Sequence, residues 1–272
     1  MHKKIFAPLL LTLLSFIFVN IAQADETLTP IPKISNEWKF ELTPYLWAPS
    51  INSTLNYKGQ YITTADLNAN NIISNLKSGA MIAGEARYGN WGIMADVVSA
   101  TLQKSGTTPV TPQSGQPFKL AYKPTLQETI LTGAATYNFL NNQNATVDGL
   151  VGVRWIGLTA TLNLAADGTN YSISDSKTMS TADPIVGFKG RYRIANSTWY
   201  VPFYADIGGG GGTTNMTWQA MAGIGKTIEK WVDVALVYRG LYYDMSSSKT
   251  GGQGLLQKTT FQGPQLSATF RF

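Results

Sequence analysis

Carboxylates are the main residues that could do acid–base chemistry in this chain, because cysteine is absent and the single histidine is His2. Disulfides, thiolate nucleophiles and cysteine-based metal sites are therefore excluded. Beyond residue 2 there is also no histidine base, a role that needs a group titrating near neutrality. Glu85 and Asp96 remain as a conceivable carboxylate pair for hydrolysis. We expect no enzymatic activity, no cofactor and no metal site.

Polar residues, many of them charged, alternate with apolar residues in several segments. In 183–194, for example, Val186 and Phe188 alternate with Lys189 and Arg191. This period predicts β-strands with one apolar and one polar face. The residues predicted to line the polar interior are Glu41, Glu85, Asp96, Glu128, Asp148, Asp206 and Asp233, with Lys39, Arg87, Arg154, Lys189, Arg191, Arg193, Arg239 and Arg271.

These interior charges support two interpretations. Seven acids and eight bases can neutralise one another in a salt-bridged core that holds a small barrel closed. Alternatively they line a narrow solute path, in which Lys189, Arg191 and Arg193 form a basic ladder that favours anions.

The strand lengths and the aromatic residues favour a membrane barrel over a soluble sandwich. Four segments between Asp183 and Asp244 have about ten residues or more, the length that a tilted strand needs to cross a bilayer. The charged fraction of 14% is below the roughly 25% of soluble domains. Aromatic residues at one end of the strands predict an interfacial girdle. They are Trp38, Trp91, Trp199, Trp231, Tyr88, Tyr137, Phe139, Tyr192, Phe270 and Phe272.

The predicted fold class is all-β, an antiparallel up-and-down transmembrane β-barrel of about ten strands. Long loops, among them 103–122, 165–182 and 245–254, alternate with short periplasmic turns. A twelve-stranded barrel is the alternative, in which a hairpin around Lys58-Gly59 joins the wall. A short helix is predicted over 66–76 in the first extracellular loop, with Asp66 as its N-cap. Pro44 predicts a local distortion in the first strand.

The first residues have the composition of a secretory signal. Lys3 and Lys4 precede an apolar run from Ile5 to Ile21, and Ala22-Gln23-Ala24 is a small-x-small cleavage site. We therefore predict a signal peptide at 1–24, a periplasmic lead-in at 25–36 and a barrel domain at 37–272. The expected location is the bacterial outer membrane, after cleavage near Ala24.

The final strand alternates Leu266, Ala268, Phe270 and Phe272 with polar residues. This ending resembles the assembly signal of bacterial outer-membrane barrels, with Ser267 where such signals often have glycine. The blocks WKFELTPYLWAP, GEARYGNWGIMADV, DPIVGFKGRYRI and GPQLSATFRF resemble uncharacterised proteobacterial outer-membrane β-barrel proteins, which are porin-like small barrels. The resemblance covers nearly the whole chain after the signal. It implies fold, location and recognition by the assembly machinery through Phe270 and Phe272, but no activity.

The expected function is that of a closed or narrow barrel with a structural or surface-interaction role. Ten strands are close to the eight that side chains fill completely, so any pore would be narrow. The alternative is a low-conductance pore for small anionic solutes. We expect a monomer whose partners are outer-membrane lipid and lipopolysaccharide, because lysines exceed acids in the outer loops. The net charge of +5 falls to +3 without Lys3 and Lys4, which makes no case for nucleic acid.

Overall fold

The computed structural model describes residues 28–57, 60–111, 118–166, 172–246 and 255–272. The predicted signal peptide, the turn Lys58-Gly59 and most of the predicted loop 245–254 lie outside these residues. The elements in chain order are β1 (Lys39–Trp47), β2 (Ser50–Tyr57), β3 (Gln60–Leu67), α1 (Ala69–Asn75), β4 (Leu76–Tyr88), β5 (Trp91–Gln103), β6 (Gly106–Val110), β7 (Phe118–Asn141), β8 (Ala145–Ala166), β9 (Ser172–Arg193), β10 (Trp199–Gly208), β11 (Thr214–Glu229), β12 (Val232–Ser246) and β13 (Leu255–Arg271).

Ten antiparallel strands form a closed barrel, as the sequence predicts. The wall order is β1, β4, β5, β7, β8, β9, β10, β11, β12 and β13, and the pairing of β1 with β13 closes it. Short turns such as Gly89-Asn90 join strands at one end, where β1 begins and β13 finishes. We call this the turn end, and the opposite end the loop end. Gly89 has a φ of 57°, a left-handed conformation that glycine adopts without steric cost in such turns.

An apolar band surrounds the outside of the barrel. On β7 it extends from Phe139, 62% exposed, to Leu131, 41% exposed. The band finishes where the outward residues become polar, at Thr129, which pairs with Ser99 on β5. Aromatic pairs mark its lower border at the turn end, for example Trp91 and Tyr137, whose ring centroids are 4.8 Å apart. This arrangement is the one expected for strands that contact lipid.

Three strands are longer than the sequence predicts. Strand β7 has 24 residues, and β8 and β9 have 22 each, so the described parts of the predicted loops 103–122 and 165–182 are largely strand. At about 3.3 Å per residue, such strands are roughly 70 to 80 Å long. They therefore continue well beyond the apolar band at the loop end. The prediction was wrong there because both faces of a strand above the membrane are wet, so alternation disappears.

The hairpin of β2 and β3 joins the sheet without adding strands that span the apolar band. Strand β2 continues β1 in the same register along β13, from Ser50 opposite Gln262 to Tyr57 opposite Leu255. Strand β3 pairs with β2. The twelve-stranded alternative is therefore wrong, although the hairpin extends the wall at the loop end.

Two local predictions near β1 have different outcomes. The N-cap of α1 is Asn68 instead of Asp66, and its side chain accepts a hydrogen bond from the Asn71 amide at 2.8 Å. Pro44 lies at a local interruption, as predicted: the ladder to β13 lacks pairs at Thr43 and Pro44, and it resumes at Tyr45 in the same register. No helix among the described residues is long and apolar enough to cross a membrane.

The segment before β1 lies across the turn end of the barrel. Pro30 and Ile31 are buried there. The Asn141 side chain donates to the Pro32 carbonyl at 3.0 Å, and the Gly89 amide donates to the Ser35 carbonyl at 3.0 Å. Part of the predicted lead-in therefore covers the mouth of the barrel at this end.

Candidate functional site

The interior of the barrel, its lumen, consists of layers, and strand β7 shows their order. Its inward residues, from the turn end, are Asn138, Thr136, Ala134, Thr132, Ile130 and Glu128. Asn138 and Thr132 contact charged groups. Ala134 and Ile130 belong to two apolar clusters. Glu128 lines a cavity above them. Charged and apolar layers therefore alternate along the barrel axis.

The first charged cluster lies at the turn end and joins five strands. Asp233 accepts hydrogen bonds from Arg191 at 2.7 Å and from Arg271 Nη1 at 3.0 Å. Glu41 accepts from Arg271 at 3.0 Å and from Arg191 at 3.4 Å. The Tyr200 hydroxyl donates to Asp233 at 3.3 Å. Each arginine therefore contacts two carboxylates, which leaves neither available as an isolated cation.

The second charged cluster lies beside the first and is built on Glu85 and Asp148. Arg87 donates to Glu85 at 2.7 Å and to Asp148 at 2.5 Å. Lys189 contacts Glu85 and lies 3.9 Å from Asp148. The Asn138 amide donates to Asp148 at 2.7 Å. Two acids and two bases therefore compensate each other within one cluster.

The third charged cluster surrounds the fully buried Arg239. Its guanidinium donates to Asp96 at 2.7 Å, to Gln219 at 2.9 Å and to the Tyr45 hydroxyl at 3.0 Å. The Tyr45 hydroxyl donates in turn to Asp96 at 2.5 Å. The guanidinium carbon also lies 4.8 Å from the centroid of the Trp47 ring, a cation–π contact. Charge, hydrogen bonds and ring faces together replace the water that the two terminal nitrogens of Arg239 have lost.

The fourth charged cluster is the pair of Arg154 on β8 and Asp206 on β10. Both side chains are 0% exposed, and the two groups meet in a bidentate arrangement with one N···O distance of 2.9 Å. Tyr204 donates to Asp206 at 2.5 Å. Thr132 and Thr217 accept from Arg154 at 3.4 Å. This geometry allows a charged pair to remain in a water-poor interior.

Two apolar clusters complete the layers. The lower one comprises Ala134, Leu150, Ile185 and Tyr204, with Met94 and Met221 packed against it. The upper one comprises Tyr45, Trp47, Val98, Ile130, Ile156, Leu241, Tyr243 and Phe261. Leu241 and Tyr243 are 0% exposed. A layer of apolar side chains therefore lies above the third and fourth charged clusters.

The remaining interior candidates have different surroundings. Lys39 lies at the exposed turn end, 3.4 Å from Glu37. Arg193 donates to the Ser197 carbonyl at 2.8 Å. The predicted basic ladder is thus divided, since Lys189 and Arg191 contact carboxylates of different clusters. Glu128 belongs to none of the four clusters.

Several neutral residues that complete the clusters were missing from the predicted site. They are Tyr45, Tyr200, Tyr204, Gln219, Thr217 and Asn138, together with the buried acid Asp183. Their signal was present in the sequence, because each occupies the polar face of its strand. Hydroxyls and amides satisfy much of the hydrogen-bonding capacity of buried ions, so the polar face of a strand includes these neutral groups as well as the charged ones.

The arrangement gives little support to hydrolytic chemistry. Glu85 and Asp96 belong to different clusters, where each contacts basic groups. Within the described part of the chain, no group of three or more histidine, cysteine or acidic residues could hold a metal ion. The lumen therefore has the chemistry of a neutralised core.

The terminal phenylalanines lie in the outer girdle. The ring centroids of Phe270 and Trp231 are 6.1 Å apart, and those of Phe272 and Phe40 are 6.2 Å apart. The Phe272 carbonyl also accepts from the Phe40 amide at 2.8 Å. The last strand thus contributes both to the girdle and to barrel closure.

Comparison with known proteins finds similarity in fold only. No family model and no curated protein matches the chain. Among solved structures, the outer membrane protease OmpT from Escherichia coli matches with a TM-score of 0.55 and 9% identity, over 89% of this chain and 99% of that chain. Ail from Yersinia pestis matches with a TM-score of 0.34 and 10% identity, over 86% and 98% of the two chains. OprG from Pseudomonas aeruginosa matches with a TM-score of 0.32 and 8% identity, over 88% and 97%.

The likeness to OmpT shows that this chain has the fold of an outer-membrane β-barrel. At 9% identity the likeness extends to the fold alone, so the protease activity in that protein's name is not transferred. The resemblance to uncharacterised outer-membrane proteins likewise has support at the level of the fold and none from a family model.

Proposed function

We propose that this protein is an integral outer-membrane barrel with a closed lumen and a structural or surface-interaction role. The observation that supports a closed lumen is the alternation of charged and apolar layers, with Arg154 and Asp206 completely buried between them. Ions crossing such a barrel would have to disrupt neutralised pairs as well as apolar side chains. The energetic cost of separating buried pairs disfavours a continuous water path.

The loop end supports a role at the cell surface. Strands β7, β8 and β9 continue beyond the apolar band, whose height in such barrels is about 25 Å. In the proposed orientation the turn end faces the periplasm and the long strands extend into the medium. We propose lipopolysaccharide and outer-membrane lipid as its surroundings and the assembly machinery as the partner of Phe270 and Phe272. We further propose a monomer without enzymatic activity.

Single-channel recording in planar lipid bilayers tests the closed lumen. We expect no conductance steps from the wild-type protein, because four charged clusters and two apolar clusters obstruct the lumen. Insertion is verified on the same sample by protease protection in liposomes and by heat-modifiable gel mobility. An Arg154→Ala/Arg239→Ala variant, which lacks two large buried side chains, is expected to conduct.

The pore alternative makes the opposite prediction. Steady anion-selective steps from the wild type, abolished or reversed in selectivity by Arg191→Glu, would establish a conducting barrel and overturn the proposal. Silence from the wild type and steps from the double variant would support it.

A further inference from the structure

A cavity of about 250 Å³ lies above the upper apolar cluster, at the loop end of the lumen. Most of its lining is apolar and comes from opposite walls of the barrel. The lining residues used below are Leu126, Ile156, Leu158, Met179, Tyr243 and Phe261, together with Glu128. Ile156, Tyr243 and Phe261 also belong to the upper apolar cluster, so that cluster forms the floor of the cavity. The cavity is therefore a pocket at the loop end instead of a section of a channel.

Glu128 is the one carboxylate among the described lining residues, and no lysine or arginine lines the cavity with it. Its Oε1 atom is buried and receives no hydrogen bond from the described part of the chain. Every carboxylate of the four charged clusters, by contrast, contacts a base. A buried acceptor that lacks a partner has a large free-energy cost. Glu128 therefore differs from the neutralised core below it.

Glu128 lies outside the apolar band. Its outward neighbour on β7 is Thr129, the first polar residue above the band, and its partners in the sheet are Ala100 and Leu158. Desolvation by burial, without a compensating cation, raises the pKa of Glu128 to about 7. The carboxyl group would become fully ionised at neutral pH if a cation reached it.

We propose that this cavity binds a small apolar molecule with one protonated amine, whose ammonium group donates to Glu128. The apolar body would contact Leu158, Met179 and Phe261, and the ammonium group would supply the missing partner of the buried Oε1 atom of Glu128. Charge complementarity thus selects the amine, and the walls select the apolar body. The closed floor depends on the proposed function, because a continuous channel would have no floor.

Binding of such an amine should depend on pH with a definite sign. A cation binds the ionised form of Glu128, so affinity is full above pH 7 and falls as the pH decreases through the pKa of the carboxyl group. Tyr243 on β12 is the other titratable residue among the described lining residues. Arg154 and Asp183 interact with Tyr243 from the layer below, and Arg154 is already paired with Asp206. Tyr243 and Asp183 are not cations, and Arg154 is held by Asp206. These groups therefore do not compete with the ammonium group for Glu128.

Isothermal titration calorimetry on the full-length mature protein in lipid nanodiscs tests the inference. The probes are phenethylamine, the neutral 2-phenylethanol and the anionic 3-phenylpropanoate, which are similar in size. We expect phenethylamine to bind most tightly at pH 8 and to lose at least tenfold in affinity at pH 5.5. Glu128→Gln, which has the same shape, should abolish this preference and weaken amine binding at least tenfold.

Glu229→Gln is the matched control, because it removes one exposed carboxylate at the turn end and should leave binding unchanged. Equal affinities for the three probes, tighter binding of the acid, or an unchanged affinity in Glu128→Gln would overturn the inference. Conductance distinguishes the two proposals. A conducting barrel that still binds the amine refutes only the closed lumen, whereas a silent barrel without amine binding refutes only the ligand site.

Discussion

Arg154 and Asp206 are two opposite charges from which water is excluded. Moving them out of water has a desolvation cost that can exceed their mutual attraction, so their pair is not by itself a source of stability. Each charge of the pair offsets part of the desolvation cost of burying the other. Tyr204, Thr132 and Thr217 add the hydrogen bonds that the two groups lost with their water.

Removal of one partner should therefore be costly. We expect Asp206→Asn to lower the free energy of unfolding by about 3 to 5 kcal/mol, because it leaves the Arg154 charge buried and uncompensated. Urea titration of the protein in lipid vesicles, with tryptophan fluorescence as the signal, measures this loss.

Glu37→Gln is the control for this substitution. It breaks the exposed ion pair with Lys39, and we expect a loss below about 1 kcal/mol. An Arg154→Met/Asp206→Leu variant should recover part of the stability, since it leaves no buried charge. If Asp206→Asn costs no more than Glu37→Gln, the pair is hydrated and the lumen is open to water.

Which residues point inward could be predicted from the sequence, whereas their pairing could not. Alternation assigns Arg154 and Asp206 to the polar face because a slip of one residue would turn every side chain around. Their contact joins residues 52 positions apart, and that of Arg239 with Asp96 joins residues 143 apart. Both contacts connect strands that are not neighbours in the wall, so they depend on strand tilt and stagger, which have no local signature. The isolation of Glu128 was missed for the same reason.

Strand β13 has a different neighbour along each half of its length. The half near the turn end pairs with β1, and the other half, 255–262, pairs with β2. Strand β12 pairs along the other side of both halves. The barrel closes through β1, so the hairpin of β2 and β3 can be removed without opening the wall within the apolar band.

Replacement of residues 52–66 by a short Gly-Ser linker should leave a folded barrel with a locally weakened edge. We expect faster amide exchange in 255–262, where some amides lose their acceptors on β2, and unchanged exchange in 265–271. Hydrogen–deuterium exchange with mass spectrometry measures both segments in one sample, so the second is an internal control. Faster exchange in both segments would show that closure depends on the hairpin.

The sequence predicted strands well only where one face contacts lipid. Within the band, apolar residues such as Val186 and Phe188 alternate with polar ones and define the strand. Above the band, Ser174 and Ser176 also belong to β9. Both faces of the strand contact water there, so polar residues occur on both. Backbone hydrogen bonds to β8 continue there. Because these bonds form with any side chain, the sequence carries no pattern that marks this part of the strand.

The proposed closed lumen predicts how the stability of the barrel responds to salt. Salt screens exposed charges within about 10 Å at 0.1 M, but it screens buried pairs much less. The charged residues of the four clusters lie inside the lumen, so the free energy of unfolding should change by less than about 1 kcal/mol between 0.05 and 1 M NaCl. Heat-modifiable gel mobility and urea titration in vesicles measure this response. A water-filled lumen would let ions reach Arg191, Arg271 and Asp233, and a steep loss of stability in high salt would therefore contradict closure.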